Sequence, residues 1–139
     1  MKLVLDANIL LNVIFAERPF FRTSRDLLEK IERRKHQASI SSITLAEIIW
    51  VVQKEVGHRK AIEVLSYLRE LAELQIIRAV PLESRVVYRL PILVEKYRLS
   101  FVDALVVATA LDTKSTLVTR DEKLQKVEEL DVKTPDGLV

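Results

Sequence analysis

Apolar positions along the 139-residue chain change period repeatedly. Short apolar runs at Lys2–Leu5, Ala38–Ile40, Ile76–Val80 and Thr116–Val118 predict strands, and a weaker one falls around Val132. Between them, apolar residues recur at helical spacing near Ala7–Phe15, Arg22–Arg34, Leu45–Val56, Arg59–Leu74, Glu83–Arg98 and Phe101–Thr113. Leu27, Leu28 and Ile31 make one stripe, and Ile62, Leu65, Leu68, Leu71 and Ala72 another, with charged residues largely between them. Such alternation predicts an α/β fold with a small sheet.

Helix-breaking residues mark several boundaries. Gly57 ends one helix before His58 opens the next, and Pro19 and Pro81 interrupt helical continuation. Pro91 either kinks the Glu83–Arg98 helix or starts a second one, because its ring removes a donor and crowds the preceding turn. No repeat, low-complexity tract or linker divides the chain, so residues 1–139 read as a single domain. A chain this long can bury roughly 68% of its unfolded surface.

Composition excludes several classes. Hydrophobic residues make up 49% and charged residues 30%, and Gly and Pro are scarce, which argues against disorder. The most apolar stretch, Phe101 to Leu111, contains Asp103 and is far shorter than the ~20 residues a bilayer crossing needs. No secretory signal precedes the first strand, and the absence of cysteine excludes disulfides and thiolate sites, so a cytoplasmic setting is expected. The net charge of +2 is too small to imply a nucleic-acid partner by itself.

Four acids, Asp6, Glu47, Asp103 and Asp121, sit where an apolar strand ends or a helix begins. Each alone also fits helix capping. Asp6 and Asp121 could be N-caps, and Thr44 with Glu47 and Ser100 with Asp103 have capping-box spacing. If the sheet is parallel, all four lie on its carboxyl-end side, and capping leaves a second oxygen free to face a cation. Two carboxylates about 5 Å apart repel by roughly 3 kcal/mol at an effective dielectric of about 20, so such a cluster calls for a divalent cation or raised pKa values. Oxygen ligands without sulfur favour Mg²⁺ or Mn²⁺ over zinc. His36 and His58 lack paired-ligand spacing and read as surface residues.

The strings LDANILL, LAEI, DALVVATAL and LVTRD, in that order across nearly the whole chain, resemble the four acidic motifs of the PIN-domain family. That resemblance implies a three-layer fold with a central parallel sheet flanked by helices. It also implies Mg²⁺- or Mn²⁺-dependent nuclease activity with Asp6, Glu47, Asp103 and Asp121 as the acidic site, supported by Asn8 and Thr119. A short PIN domain is similar to the VapC-type toxins, which implies an endoribonuclease acting on RNA, a cognate antitoxin and a homodimer. Asn8 also fits a capping role.

Basic residues supply candidate phosphate contacts: Arg18, Arg22 and Arg25 near the first helical connection, and Arg120 and Lys123 beside Asp121. A solvated charged face would also explain them. The run Arg33, Arg34, Lys35, His36 precedes a strand at its amino end, so it should lie opposite the acidic crevice. Trp50, Val51 and Val52 offer more apolar surface than one helical stripe buries, for a dimer or antitoxin contact or for core packing. Rival readings are a stand-alone RNA-processing nuclease, a PIN-like fold that binds without cleaving, and a receiver-like phosphoacceptor. The last should carry an acidic pair after its first strand, where this chain has Ala7 and Asn8 after Asp6.

Overall fold

A computed structural model describes residues 1–139. The sheet consists of β1 (Lys2–Leu5), β2 (Gln37–Ser41), β3 (Ile77–Val80), β4 (Thr116–Val118) and β5 (Val132–Lys133), in the order β3-β2-β1-β4-β5. Every neighbouring pair is parallel, and β1 pairs with β2 at Leu3 to Ala38 and with β4 at Leu5 to Val118. Parallel strands need crossovers, and helices supply them. These are α1 (Ala7–Ile14), α2 (Phe21–Glu32), α3 (Ser42–Val56), α4 (His58–Glu73), α5 (Ser84–Val87), α6 (Leu90–Tyr97), α7 (Phe101–Asp112) and α8 (Glu122–Gln125).

Strand alternation divides the core between the two faces. Leu3, Leu5, Ile40 and Val118 pack with α1 to α4, whereas Val4 and Leu117 pack with α7 and its neighbours, so the molecule is a three-layer α/β/α fold. Helix α7 is buried continuously from Ala104 to Ala110. That explains its nearly unbroken apolar sequence, and it leaves Asp103 as the first acid at the helix's accessible end.

The strand order has a functional consequence. From β1 the chain first moves outward through β2 to β3, then crosses to the other side of β1 to add β4 and β5. In open α/β sheets the crevice beyond the carboxyl ends at such a reversal is the usual ligand position, and here it lies between β1 and β4. A receiver-like domain would instead place β1 between β2 and β3. The observed order removes that rival.

Two local expectations need correction, and the choice left open at Pro91 is decided. Helix α3 starts at Ser42 rather than Leu45, because the Ser41 hydroxyl caps it by accepting from the Ile43 amide at 3.3 Å. The Glu83–Arg98 segment is two helices, and Pro91 lies in the first turn of the second, where its missing N–H costs nothing. On α4 the buried face is Ala61, Val64, Leu68 and Leu71, while Ile62 and Leu65 are exposed. The face packed toward α3 is rotated by one residue from the stripe read in the sequence.

Candidate functional site

Residue Asp6 directly follows β1 and caps α1: its Oδ1 accepts from the Ala7 amide at 2.8 Å. Its other oxygen, Oδ2, accepts from the Thr119 hydroxyl at 2.6 Å and from Asn8 Nδ2 at 3.3 Å. Thr119, wholly buried just after β4, also accepts the Asp121 amide at 3.1 Å. One hydroxyl therefore ties the first acid to the turn that carries the fourth. Asp121 in turn caps α8, with Oδ1 accepting from the Lys123 amide at 2.9 Å. Capping and clustering coexist in both residues, because each aspartate has two oxygens.

The other two acids come from helices. Glu47 sits in the second turn of α3, and the Thr44 capping-box reading fails because Ser41 is the cap. With capping excluded, its carboxylate has no structural duty at the helix start. Asp103 follows the Ser100 cap, whose hydroxyl accepts the Asp103 amide at 3.2 Å.

Electrostatics links the four. Burial is the main cause that raises the pKa of Asp6, opposed by the Thr119 and Ala7 hydrogen bonds and reinforced by the charges of Asp103 and Asp121. Glu47 is raised by burial, then by Asp6 and Asp103. Asp103 is raised by burial, then by Asp121, with Ser100 and Lys123 pulling the other way. None of the four forms an ion pair with a lysine or arginine. The charge is shared among the acids, and the nearby Lys123 offsets it only at Asp103.

The donor set suits a hard cation better than a proton alone. Beside the carboxylates, Asn8 Oδ1 is a buried acceptor with no hydrogen-bond donor, which a cation or its hydration shell could satisfy. The carboxylates do not already close around one point as three ligands of a single ion. Oxygen donors of this kind are the ones a hard divalent cation takes.

Other candidates fall into groups. Arg18, Arg22 and Arg25 line one cavity of about 620 Å³ with Pro19, Phe21 and Asp26. Thr23 and Ser24 bond Arg120 at 2.6 and 3.3 Å, so the start of α2 lies beside the Asp121 turn. Lys123 is exposed on α8. Arg120 is engaged within the fold: it also donates to Asn12 Oδ1 and to Asp136, each at 3.2 Å, and its guanidinium lies 4.5 Å from the Phe20 ring centroid. The run Arg33 to His36 precedes the amino end of β2, away from the acids. His36 is half-buried near the amino terminus, and His58 is exposed. Val52 is core, Val51 is half-buried, and Trp50 is exposed.

The buried network of Asn12, Ser24 and Arg120 was not foreseen. Its only sequence signal is a polar residue, Asn12, one turn after Asn8 in an otherwise apolar helix. Thr44 is a second surprise, with a fully buried hydroxyl that lacks a partner.

A family model described as PIN domain matches residues 3–130. No curated protein matches the sequence. Among solved structures, a toxin–antitoxin complex from Klebsiella pneumoniae is similar at 24% identity and TM-score 0.68, over 95% of this chain and 96% of that one. VapBC-1 from nontypeable Haemophilus influenzae aligns at 17% identity and TM-score 0.73, over 98% and 99%. VapC20 from Mycobacterium tuberculosis, described as a sarcin-ricin loop cleaving toxin, aligns at 15% identity and TM-score 0.71, over 93% and 98%.

Proposed function

The chain belongs to the PIN-domain family, and from that premise we propose that it is an Mg²⁺- or Mn²⁺-dependent endoribonuclease, the toxin of a toxin–antitoxin pair. The observation that carries this reading is an acidic crevice with no ion-paired lysine or arginine, in which burial and mutual repulsion raise three carboxyl pKa values. Asp6 and Asp103 would be the principal ligands, Glu47 would share the cation and orient water, and Asp121 would close the site. Asn8 Oδ1 offers a further acceptor, and Thr119 holds Asp6 and Asp121 in register. A bound divalent cation would lower the pKa of water and offset charge on the phosphoryl oxygens.

The chain's own groups then define the reaction. Water attacks phosphorus and gives up a proton, the bond to the 3′ oxygen breaks, and that oxygen takes a proton from solvent, giving a 5′-phosphate and a 3′-hydroxyl. Glu47, a carboxylate beside the proposed cation position, would take the proton from the attacking water. The cleft holds no histidine to act on a 2′-hydroxyl, since His36 lies before the amino end of β2 and His58 opens α4. Arg18, Arg22, Arg25 and Lys123 are the phosphate contacts we assign, and Arg120 positions the Asp121 turn.

RNA as substrate draws support from the similarity to VapC20, a sarcin-ricin loop cleaving toxin, and an antitoxin partner from the similarity to the Klebsiella toxin–antitoxin complex. Exposed Ile62 and Leu65 on α4, and the groove lined by Leu11, Phe15, Val51 and Val56, supply apolar surface for that partner and for a homodimer. No helix is long and apolar enough to cross a membrane.

Purified protein incubated with RNA should cut it in Mg²⁺ or Mn²⁺ and stop on chelation. Asp6→Asn protein should be inactive while still folded. Cleavage that persists in a chelator, or in the Asp6→Asn variant, would remove the acidic crevice from the reaction.

A further inference from the structure

The basic run Arg33 to His36 has no part in the proposed chemistry. It joins α2 to β2, and beside it the chain leaves α4 and enters β3. A cavity of about 270 Å³ lies there. Arg34, His36 and Gln37 line it from the first segment, and Gln75 and Arg78 from the second. Ile31 and Ala38, both buried, add an apolar lining. The cavity sits at the amino ends of β2 and β3, so strands of five and four residues, roughly 13–17 Å, separate it from the acids at the carboxyl ends.

Its charge is one-sided. Four larger cavities each include at least one carboxylate, whereas this one has two arginines and none. The nearest acids along the chain are engaged elsewhere: Glu29 pairs with Arg33, Glu73 pairs with Arg69, and Glu32 accepts from the Tyr67 hydroxyl. Arg34, Lys35 and Arg78 form no ion pair. Helices α2 and α4 both end here, and their carbonyl ends together supply only about one unit of negative charge. Two guanidinium groups and the Lys35 ammonium exceed that, so the surplus is positive.

Arg34 is also held in position. Its Nη2 donates to the Leu74 carbonyl at 3.0 Å and its Nη1 to the Gln75 carbonyl at 3.5 Å, so the side chain spans the two segments. Those bonds use only part of its five N–H donors. A guanidinium already ordered loses less entropy when it takes an anion.

We propose that this cavity binds a phosphoryl anion, either free phosphate or the phosphate of a small molecule, with Arg34 and Arg78 on its oxygens and the Gln37 and Gln75 amides donating beside them. Guanidinium forks match phosphate oxygens in pairs. A phosphate ester carries a charge of about −1.5 to −2 near neutral pH, which calls for two such groups where a carboxylate calls for one. The volume falls just under the roughly 300–1,000 Å³ of small-ligand pockets, room for a phosphate and a compact body. The site needs neither the acids nor a cation, so it stands or falls apart from the nuclease reading.

The chain has two histidines, and only His36 lines the cavity; His58 opens α4, roughly 20 Å along that helix from its Gln75 end. Their ring resonances therefore report on the site in unaltered protein. Metal-free wild-type chain at fixed pH and ionic strength would be titrated with inorganic phosphate, adenosine 5′-monophosphate, adenosine, and a short RNA with hydroxyl ends. Phosphate should move the His36 signals saturably and leave those of His58 in place, and adenosine should move neither. Tighter saturation by the monophosphate would assign the ligand a body as well as a phosphate; equal saturation would assign the phosphate alone. Arg78→Gln should weaken binding by roughly 10-fold or more, the usual cost of a lost charge-assisted bond, while Arg22→Gln, in the separate three-arginine cavity, should leave it unchanged. His36 signals that do not respond to phosphate, or shifts shared equally by both histidines, would overturn the site even if Arg78→Gln failed to fold. Binding lost in Arg22→Gln and kept in Arg78→Gln would overturn it too, as would a response to the RNA alone.

Discussion

At the scale of single residues, the Thr119 hydroxyl holds the most connections for its size: it donates to Asp6 and accepts the Asp121 amide. Thr119→Val keeps the shape and deletes both bonds, leaving a buried carboxylate oxygen and an amide short of partners. The expected cost is about 1–3 kcal/mol in denaturant unfolding, with Thr119→Ser recovering most of it. A Thr119→Val protein as stable as the wild type would show that the hydroxyl does not organise the crevice. Protons provide a second test. Asp6, Glu47 and Asp103 have folded-state pKa values raised above the ordinary 3.8 and 4.5, chiefly by burial, so between the unfolded and folded values the fold binds more protons than the unfolded chain. Their contribution to metal-free stability therefore falls as pH rises through that window, and stays lost above it. Asp103→Asn should be no less stable than the wild type at neutral pH without cation, and should lose less stability between pH 4.5 and 7. Urea titrations at both pH values would check this; a neutral-pH stability well below the wild type's would mean Asp103 is a structural residue. The four acids were legible in the sequence because each ends or begins a strongly patterned element. Arg120 was not, because its partners Asn12, Thr23, Ser24 and Asp136 come from three different parts of the chain.

At the scale of elements, patterning located every strand and nearly every helix, and the misreadings share a cause. Two hydroxyl residues compete to cap α3, and Ser41, at the end of β2, wins over Thr44 because capping there lets β2 pass directly into the helix. Periodicity alone could not rank them. On α4 the apolar residues cover more than one face, so only the packing against α3 decides that Ala61 and Val64 are buried and Ile62 and Leu65 are not. Pro91 posed a choice between a kink and a start, and the break falls at Tyr88 and Arg89 before the second helix. The Ser100 cap of α7 was readable, and it carries a prediction, since this helix presents Asp103. Ser100→Ala should cost about 1 kcal/mol and reduce cleavage by loosening the first turn. If melting is unchanged and activity is full, the cap does not position Asp103.

At the scale of the whole molecule, the reversal of strand order between β1 and β4 explains why acids 115 positions apart, Asp6 and Asp121, share one crevice. The sequence pattern could predict a parallel α/β sheet but not this order, because order depends on which edge each crossover returns to. A cation that binds only the assembled crevice must stabilise the fold, by about 2.7 kcal/mol at 100 times its dissociation constant. Since protons compete for the same carboxylates, the gain should be larger at pH 7.5 than at pH 5. Thermal melts with and without Mn²⁺ at both values would show it, and melting temperatures indifferent to Mn²⁺ would argue against any such site. The central claim is that the crevice hydrolyses RNA with water as nucleophile. Mass spectrometry of fragments produced by the purified wild-type chain, with Asp103→Asn protein as control, tests it most directly. The account predicts 5′-phosphate and 3′-hydroxyl ends that form only with a divalent cation and only in the wild type; 2′,3′-cyclic phosphates as the primary product, or the same fragments from the Asp103→Asn protein, would contradict it.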